Sequence, residues 1–322
     1  VDLRQANALQ RPSAYPMPHL ESELSRLHGS TCYQTYDLVQ GYWKLPLSEE
    51  SQTCQTFVNP VGTFTPTRIL HGNSNAVAYL QSCMDKKLDP LAENVMAWLD
   101  DLLSHAKTEP ELLEITAAFF ELCRQHNLLI HAGKVEFFKT AARWCGRLIS
   151  ASGVKYDPLN LQGMLDMPPP TMGDHLQQFC CALNWVRNSI PEFTTLIQPL
   201  QDTLEVVYRR AGSRTKNAVR KISLMACGWS PTLVHCFEQC KAALSQATSL
   251  DHSHPQLRLC AYTDENERHW SSIITQVPVE DLASPHEAQR HEPLAFLSVT
   301  FANAQLRWAI SDKEGFLIIH TC

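Results

Sequence analysis

The length, composition and charge of the chain limit what it can be. It has 322 residues, of which 44% are hydrophobic and 19% are charged, and its formal net charge is −6. This composition excludes a disordered chain, and no apolar run reaches the roughly 18 residues that a membrane-spanning helix needs. We therefore expect a globular protein of two or three domains. Because the N-terminus has no signal-peptide pattern, we expect an intracellular, cytoplasmic protein.

The first part of the chain predicts strands and hairpins. Residues 31–47 have the pattern of a strand, an irregular turn at Gln40-Gly41 and an aromatic continuation. Residues 54–69 predict a β-hairpin around the turn Asn59-Pro60-Val61-Gly62, because this turn separates two runs rich in β-formers. Residues 74–88 predict a helix.

Two adjacent aspartates interrupt the next apolar segment. Val95–Leu99 and Leu102-Leu103 lie on either side of Asp100-Asp101, which predicts a buried hairpin. A tight turn favours Gly, and two like charges beside an apolar sheet repel each other. Two interpretations are open. The pair could bind a cation, which would give it a function, or it could lie in a solvated turn, where water accommodates both charges without any function.

The rest of the chain predicts helices and then a second set of strands. A capping box at Thr108 and Glu111 opens an amphipathic helix. The other predicted features are, in chain order, strands near Phe137 and at Arg147–Ile149, a boundary at Pro168–Pro170, helices within 172–200 and 231–247, strands from 257, and a helix from Ser311. Residues 201–221 contain six basic and two acidic residues, which is typical of a solvated loop or of a polyanion-binding strip.

The candidate chemistry depends on how two of these strands pair. Asp37 ends one apolar strand, and the Asp100-Asp101 pair interrupts another 63 residues later. If the two strands are neighbours, three carboxylates converge at one edge of a sheet. Such a group can hold two Mg²⁺ ions about 4 Å apart for attack on a phosphate.

Five segments together resemble a known family in their order and spacing. The segments YDLVQGYWKLPL, HGNSNAVAYLQSCMD, WLDDLL, HAGKVEFF and CGRLISASGVKYDP are similar to the reverse transcriptase motifs of Gypsy-type LTR retrotransposons. NWVRNSIPEFTTLIQPLQDTL resembles the segment that follows the polymerase palm. YTDENERHWSSIITQ and LRWAISDKEGFLII resemble the start of the tethered RNase H.

The resemblance implies catalytic roles for four residues. Asp37, Asp100 and Asp101 resemble the metal-binding aspartates, with Trp98 at the position where the family usually has Tyr. Lys134 matches a palm lysine that reaches the triphosphate or protonates the pyrophosphate leaving group. An ordinary surface lysine after a turn is the alternative for Lys134.

The resemblance also implies four nucleotide-binding residues. Tyr42 matches the aromatic residue below the incoming sugar, where a ring excludes a 2′-hydroxyl; an ordinary core tyrosine is the alternative. Gly72 and Gln81 fit the motif that contacts nucleotide and template. His71 departs from that motif at the place of the base and ribose.

The implied fold is α+β, a right-hand polymerase (fingers, palm and thumb) with a truncated RNase H-like α/β domain at the C-terminus. The expected domains are 1–167 (partial fingers and palm), 168–255 (thumb or connection) and 256–322 (RNase H-like). Asp264 and Glu314 resemble two RNase H carboxylates, although Glu314 also suits a helix N-terminus. Because further acidic ligands do not follow, we expect no RNase H activity from this chain.

The implied function is RNA- and DNA-directed DNA synthesis with two Mg²⁺ ions. The implied partners are an RNA template, a DNA primer or template, deoxynucleoside triphosphates and the upstream and downstream domains of a Pol polyprotein. No membrane is expected as a partner. The expected location is the cytoplasm, where the protein could be part of virus-like particles. The alternative is a decayed or repurposed fragment that binds nucleic acid without catalysis. The resemblance also implies basic fingers residues that would hold the triphosphate, and this sequence does not contain them. Their absence, the missing RNase H carboxylates and the acidic net charge favour this alternative, whereas the three retained palm aspartates oppose it.

Overall fold

A computed structural model describes residues 2–321, except for the side chain of Asn303. The chain divides into two compact units, residues 1–152 and 153–322. Within residues 2–321, no helix combines the length and the apolar character needed to cross a membrane.

The first unit combines helices with antiparallel strands. Its helices are α1 (Arg4–Leu9), α2 (Leu20–Ser25), α3 (Glu49–Cys54), α4 (Ala76–Leu88) and α5 (Glu109–Gln125). Its strands are β1 (Cys32–Asp37), β2 (Phe57–Asn59), β3 (Gly62–Phe64), β4 (Val95–Trp98), β5 (Asp101–Ala106), β6 (Glu136–Lys139), β7 (Ala141–Trp144) and β8 (Arg147–Ser150). Four strands form one sheet in the order β4-β5-β1-β6, and β2 pairs with β3 as the predicted hairpin.

The central sheet is covered by α4 and α5. The predicted apolar stripe of α5 is buried at Leu112, Phe119 and Leu122 and packs with β1 and β5. Thr108 caps this helix, because its side chain accepts a hydrogen bond from the Glu111 N–H at 3.4 Å. These contacts fix β1 and β5 in the middle of the unit, where their polar ends meet.

The second unit is mainly helical at first and then forms a sheet. Its helices are α6 (Pro158–Leu165), α7 (Gly173–Trp185), α8 (Phe193–Ala211), α9 (Lys216–Val219), α10 (Pro231–Ser245) and α11 (Ile310–Thr321). Its strands are β9 (Gly153–Tyr156), β10 (Arg258–Glu265), β11 (His269–Val277) and β12 (Glu292–Thr300), of which the last three form an antiparallel sheet. Helices α6 to α10 share one apolar core, and α11 packs on β10 and β11.

Three local features differ from the sequence-based expectation. Residues 49–54 form α3, a helix that the sequence analysis did not predict and that includes the first residue of the expected hairpin 54–69. Ser48 caps this helix by accepting from the Ser51 N–H. Helix α8 continues to Ala211, so the first half of the basic segment 201–221 is helical instead of a loop. Pro168–Pro170 lies inside the second unit, between α6 and α7.

The core of the second unit contains a close approach that only glycine permits. A Cβ atom at Gly173 would lie 2.6 Å from Val207 Cγ1 and 2.7 Å from the backbone oxygen of Val219. A Cβ atom at Gly163, inside α6, would have no neighbour within 4 Å. The two glycines therefore form a matched pair for one substitution.

We expect Gly173→Ala to lower the free energy of unfolding by about 1–3 kcal/mol, because a methyl group would overpack α7 against α8 and α9. Gly163→Ala should raise it by about 0.5–1 kcal/mol, because alanine favours the helix. Urea unfolding followed by circular dichroism measures both values. Equal effects of the two substitutions would contradict the close approach at Gly173.

Candidate active site

The register of two central strands places acidic residues opposite each other. β1 and β5 are antiparallel, and Asp37 is the direct partner of Asp101. Directly opposed residues of such a pair have their Cβ atoms about 4.5–5.5 Å apart and on the same face. Asp100 precedes Asp101 in the turn, and its backbone oxygen accepts from the Leu38 N–H at 3.3 Å. The predicted carboxylates therefore meet at one end of the sheet.

A strained turn presents the Asp100-Asp101 pair. β4 and β5 are joined by Leu99 and Asp100, and Leu99 has a φ of 61°, which leucine rarely adopts. The Leu99 N–H donates to Oε1 of Gln81 at 2.8 Å. The Trp144 Nε1–H donates to the backbone oxygen of Asp101 at 3.3 Å. Protein hydrogen bonds therefore hold the turn on both sides of the aspartate pair.

The electrostatics of the site are dominated by excess negative charge. The pKa of Asp101 is raised, first because surrounding atoms remove part of its hydration and then because Asp100 and Asp37 carry the same charge. Lys134 opposes this shift. The ionised form of Asp101 is thus disfavoured in the protein on its own, and a cation at this position would relieve the repulsion.

Lys134 supplies one positive charge to the site. It lies in a short 3₁₀ helix, Ala132–Lys134, which is anchored by a hydrogen bond of 2.9 Å from the His131 N–H to the backbone oxygen of Asp37. The Lys134 ammonium donates to Oδ2 of Asp37 at 2.9 Å. This contact raises the pKa of Lys134, so the side chain stays protonated at neutral pH. The sequence left a plain surface lysine open, and the structure places Lys134 on a site carboxylate.

Two predicted nucleotide-binding residues contact each other beside the carboxylates. Tyr42 lies in the 3₁₀ helix Gly41–Lys44, and its ring meets the ring of His71 edge to face at a centroid distance of 5.3 Å. Burial raises the pKa of Tyr42, and the charge of Asp100 adds to this effect. Gly72 is exposed, has a φ of 92°, and offers its backbone oxygen to the Asn7 side chain at 2.7 Å. These residues form an aromatic and backbone surface next to the acidic end of the sheet.

The side chain of Gln81 is bonded to protein groups, whereas the resemblance implies a contact with nucleotide. Its side chain is fully buried, and its amide donates to the Ala97 backbone oxygen at 2.9 Å and to Oδ1 of Asp85 at 2.8 Å. Because its hydrogen bonds go to protein groups, a direct contact with a nucleotide would have to break them. The i, i+4 spacing of Gln81 and Asp85 on α4 is the sequence signal for the hydrogen bond between these two side chains only.

The donor set of the site suits a hard divalent cation. Carboxylate oxygens are the ligands that Mg²⁺ prefers. The pKa of Asp101 is raised first by lost hydration and then by the negative charges of Asp100 and Asp37, and a bound cation would offset both effects. Across residues 2–321, no group of three or more His, Cys, Asp or Glu side chains is arranged to hold a metal ion as it stands. The ammonium of Lys134 takes the place of a cation on Asp37. Asp37, Asp100 and Asp101 fit a metal chemically, and loading would displace this ion pair.

The two predicted RNase H-like residues lie in the second unit. Asp264 is exposed on β10, opposite Ser271 of β11, and Glu314 is exposed on α11. Helix α11 packs against β10 with Leu317 buried. Both carboxylates therefore belong to elements in contact, and their role stays a prediction.

Comparison with known proteins identifies the family of residues 1–149. Residues 1–149 match the family model described as reverse transcriptase (RNA-dependent DNA polymerase). This segment is a reverse transcriptase domain. Over 320 residues, the chain is 26% identical to the Transposon Tf2-3 and Tf2-7 polyproteins of Schizosaccharomyces pombe. The matches cover 99% of this chain but only 22% of each polyprotein, so the chain spans about a fifth of these relatives.

Solved reverse transcriptases share the fold of the chain. The foamy viral protease-reverse transcriptase in complex with an RNA/DNA hybrid has a TM-score of 0.81 and 18% identity, covering 99% of this chain and 40% of the viral chain. The same viral protein in complex with double-stranded DNA gives a TM-score of 0.78 and 19% identity, covering 99% and 61%. The predicted resemblance to Gypsy-type reverse transcriptases and the right-hand polymerase fold are confirmed.

The raised pKa of Asp101 makes its effect on stability dependent on pH. A carboxyl group whose pKa is higher in the folded state destabilises the fold as the pH rises from its unfolded value, about 3.9, through its folded value. We therefore expect Asp101→Asn to be more stable than the parent chain at pH 7. This gain should disappear below about pH 3.9, where both states carry a protonated Asp101.

Urea unfolding at a series of pH values measures this difference. Asp281→Asn is the control, because hydrogen bonds from Arg290 lower the pKa of Asp281, so its loss should give no gain at pH 7. A gain for Asp101→Asn that stays constant with pH would show that the charge of Asp101 is not its cause.

Proposed function

We propose that the chain is the polymerase part of a retrotransposon reverse transcriptase that copies RNA and DNA templates into DNA with two Mg²⁺ ions. One observation carries this proposal: in a reverse transcriptase domain, Asp37 lies directly opposite Asp101, with Asp100 next to it in the turn. Three carboxylates at one end of a sheet are what in-line nucleotidyl transfer requires.

The side chains of this site suit the steps of nucleotide addition. Asp37, Asp100 and Asp101 would hold the ions, which when bound stabilise the attacking and leaving oxygens at the α-phosphate. Lys134 is a protonated donor within reach of the same carboxylates, so it can offset charge on the pyrophosphate or give it a proton. Tyr42, with His71 against its ring, provides a bulky surface for the sugar and base.

Nucleic acids and polyprotein domains are the proposed partners. The names of the similar viral structures include an RNA/DNA hybrid and double-stranded DNA, which supports an RNA template and a DNA primer or template here. Arg209, Arg210 and Lys216 are exposed at the end of α8 and on α9, where they suit a phosphate backbone. The similar Tf2 chains are polyproteins, which supports neighbouring Pol domains. A cytoplasmic setting in virus-like particles is also part of the proposal.

The domain limits 1–167, 168–255 and 256–322 are part of this proposal. The sheet of β10 to β12 with α11 on one side supports an RNase H-like end that contains Asp264 and Glu314. Deoxynucleoside triphosphates are the proposed substrates of the first unit.

A nucleic-acid-binding fragment without catalysis is the second candidate. The ion pair between Lys134 and Asp37 favours it, because this pair competes with a metal for one of three carboxylates. Binding alone would not need Asp37 and Asp101 as direct partners, since two opposed like charges destabilise a sheet. Primer extension separates the two candidates.

We expect the chain to extend a DNA primer on an RNA template with Mg²⁺. Asp37→Asn and Asp101→Asn should each slow extension at least about a hundredfold, because each variant loses an anionic ligand. Extension of a labelled primer, resolved on a gel, gives the rates. Glu114→Gln, the same chemical change at an exposed position of α5, should leave the rate unchanged. Primer–template binding with no extension by the parent chain would favour the second candidate.

We expect Tyr42→Ala to raise ribonucleotide incorporation relative to deoxynucleotide incorporation at least about tenfold, because it opens space for a 2′-hydroxyl. Tyr42→Phe should keep the parent ratio, since it keeps the ring. The measurement is kcat/KM for each nucleotide in single-nucleotide extension. An unchanged ratio in an active Tyr42→Ala variant would make Tyr42 a core residue only.

A further inference from the structure

The strained turn that carries Asp100 and Asp101 depends on the buried side-chain amide of Gln81. Gln81 is 0% exposed, and its Oε1 accepts from the Leu99 N–H at 2.8 Å while its Nε2 donates to the Ala97 oxygen at 2.9 Å. The amide thus bridges residues on both sides of Trp98. A non-glycine residue with positive φ costs of order 1–3 kcal/mol and persists only where its surroundings fix it. Gln81 is the side chain that bonds directly to the strained residue.

Gln81 is itself oriented by an acidic neighbour. Its Nε2 also donates to Oδ1 of Asp85 at 2.8 Å, one turn later on α4. A carboxylate accepts only, so this contact fixes which end of the amide faces the Leu99 N–H. The second oxygen of Asp85 accepts a hydrogen bond from the Tyr15 hydroxyl. Hydrogen bonding to Asp85 raises the pKa of Tyr15 to about 12, so the hydroxyl remains a donor at neutral pH.

The segment that carries Tyr15 also bonds to residues 72–75, next to the predicted nucleotide-binding residues His71 and Gly72. Asn7 donates to the Gly72 oxygen at 2.7 Å and accepts from the Ser74 N–H at 3.0 Å. The Ser13 N–H donates to Oδ1 of Asn75 at 2.9 Å. Residues 7–15 therefore contact the predicted nucleotide-binding stretch and, through Tyr15, the helix that holds the turn.

We propose that Tyr15, Asp85 and Gln81 are positioning residues, a relay of hydrogen bonds that fixes the turn carrying Asp100 and Asp101 relative to residues 7–15. The relay needs no contact with nucleotide. Its effect on extension rests on the proposed polymerase function, whereas its effect on the turn does not.

The energetics give each link a different weight. Removing Gln81 leaves the Leu99 N–H without its acceptor and the strained φ without its restraint, so the turn relaxes. A displacement of about 1 Å in a catalytic group can cost a hundredfold in rate. Removing the Tyr15 hydroxyl leaves Gln81 in place and only frees Asp85, so its effect should be smaller and in the same direction.

The first test follows the turn itself by amide hydrogen exchange at Leu99 in the parent chain, Gln81→Leu and Tyr15→Phe. We expect exchange at Leu99 to be about tenfold faster in Gln81→Leu and about twofold to threefold faster in Tyr15→Phe, because protection reflects local opening. Tyr79→Phe, the same chemical change at an exposed position of α4, should match the parent. Unchanged exchange at Leu99 in Gln81→Leu would overturn the relay, and unchanged exchange in Tyr15→Phe would remove Tyr15 from it.

The second test follows the chemistry in variants with parental urea midpoints. Gln81→Leu should lower kcat of extension at least about tenfold with KM for the nucleotide within about twofold, since placement and not binding changes. Leu99→Gly added to Gln81→Leu should recover part of kcat, because glycine adopts the positive φ without strain. Parental kcat in Gln81→Leu, or no recovery in the double variant, would overturn the positioning role. If the variants show the expected differences in exchange at Leu99 but the parent chain never extends a primer, the proposed function is refuted and the proposed relay is still supported.

Discussion

The pairing of Asp37 with Asp101 is the constraint around which the first unit is organised. Two carboxylates directly across a strand pair repel each other. Lost hydration raises the pKa of Asp101 most, and the charges of Asp100 and Asp37 raise it further. The fold keeps Asp37 and Asp101 together because β1 and β5 are buried along nearly their whole length and pack against α5. The apolar contacts of these strands therefore hold in place a polar arrangement that is unfavourable by itself.

The groups around the carboxylates balance this cost in different ways. Lys134 contributes charge, and the hydrogen bond from the His131 N–H to Asp37 fixes the segment that carries it. Trp144 contributes a neutral hydrogen bond to the backbone of Asp101. The site is thus built from two strand ends, one turn and one short 3₁₀ segment, each with its own contact to an aspartate.

Much of this arrangement was predictable because it follows from local patterns. Apolar runs on both sides of Asp100-Asp101 predicted a hairpin, and the capping residue Thr108 predicted where α5 begins. The contact between Asp37 and its partner strand required the resemblance in addition, because apolar strands can pair in several registers. The same resemblance brought Tyr42 and His71 to one site, and the structure places their rings in contact.

The features that escaped prediction depend on contacts between residues distant in sequence. The sequence motif gives no sign that Gln81 faces Leu99 rather than solvent, because burial of its amide is decided by α4 packing on β4. Tyr15 reaches Asp85 across 70 positions of sequence. The helical state of residues 201–211 was missed because its charges suggested solvent, although charged residues occupy one face of α8 while Leu204 and Val207 are buried on the other.

The sheet order has a consequence for the synthesis of the chain. β1 pairs with β5 on one side and with β6 on the other, and Tyr33 finds its partner Lys139 more than a hundred residues later. Loop closure over such distances makes pairing slow compared with local helix formation. During translation β1 leaves the ribosome long before β5 and β6 are synthesised. Until then, the backbone groups on both edges of β1 have no partner strand. Cellular holding factors or rapid elongation would matter most during this interval, before the two aspartates can meet.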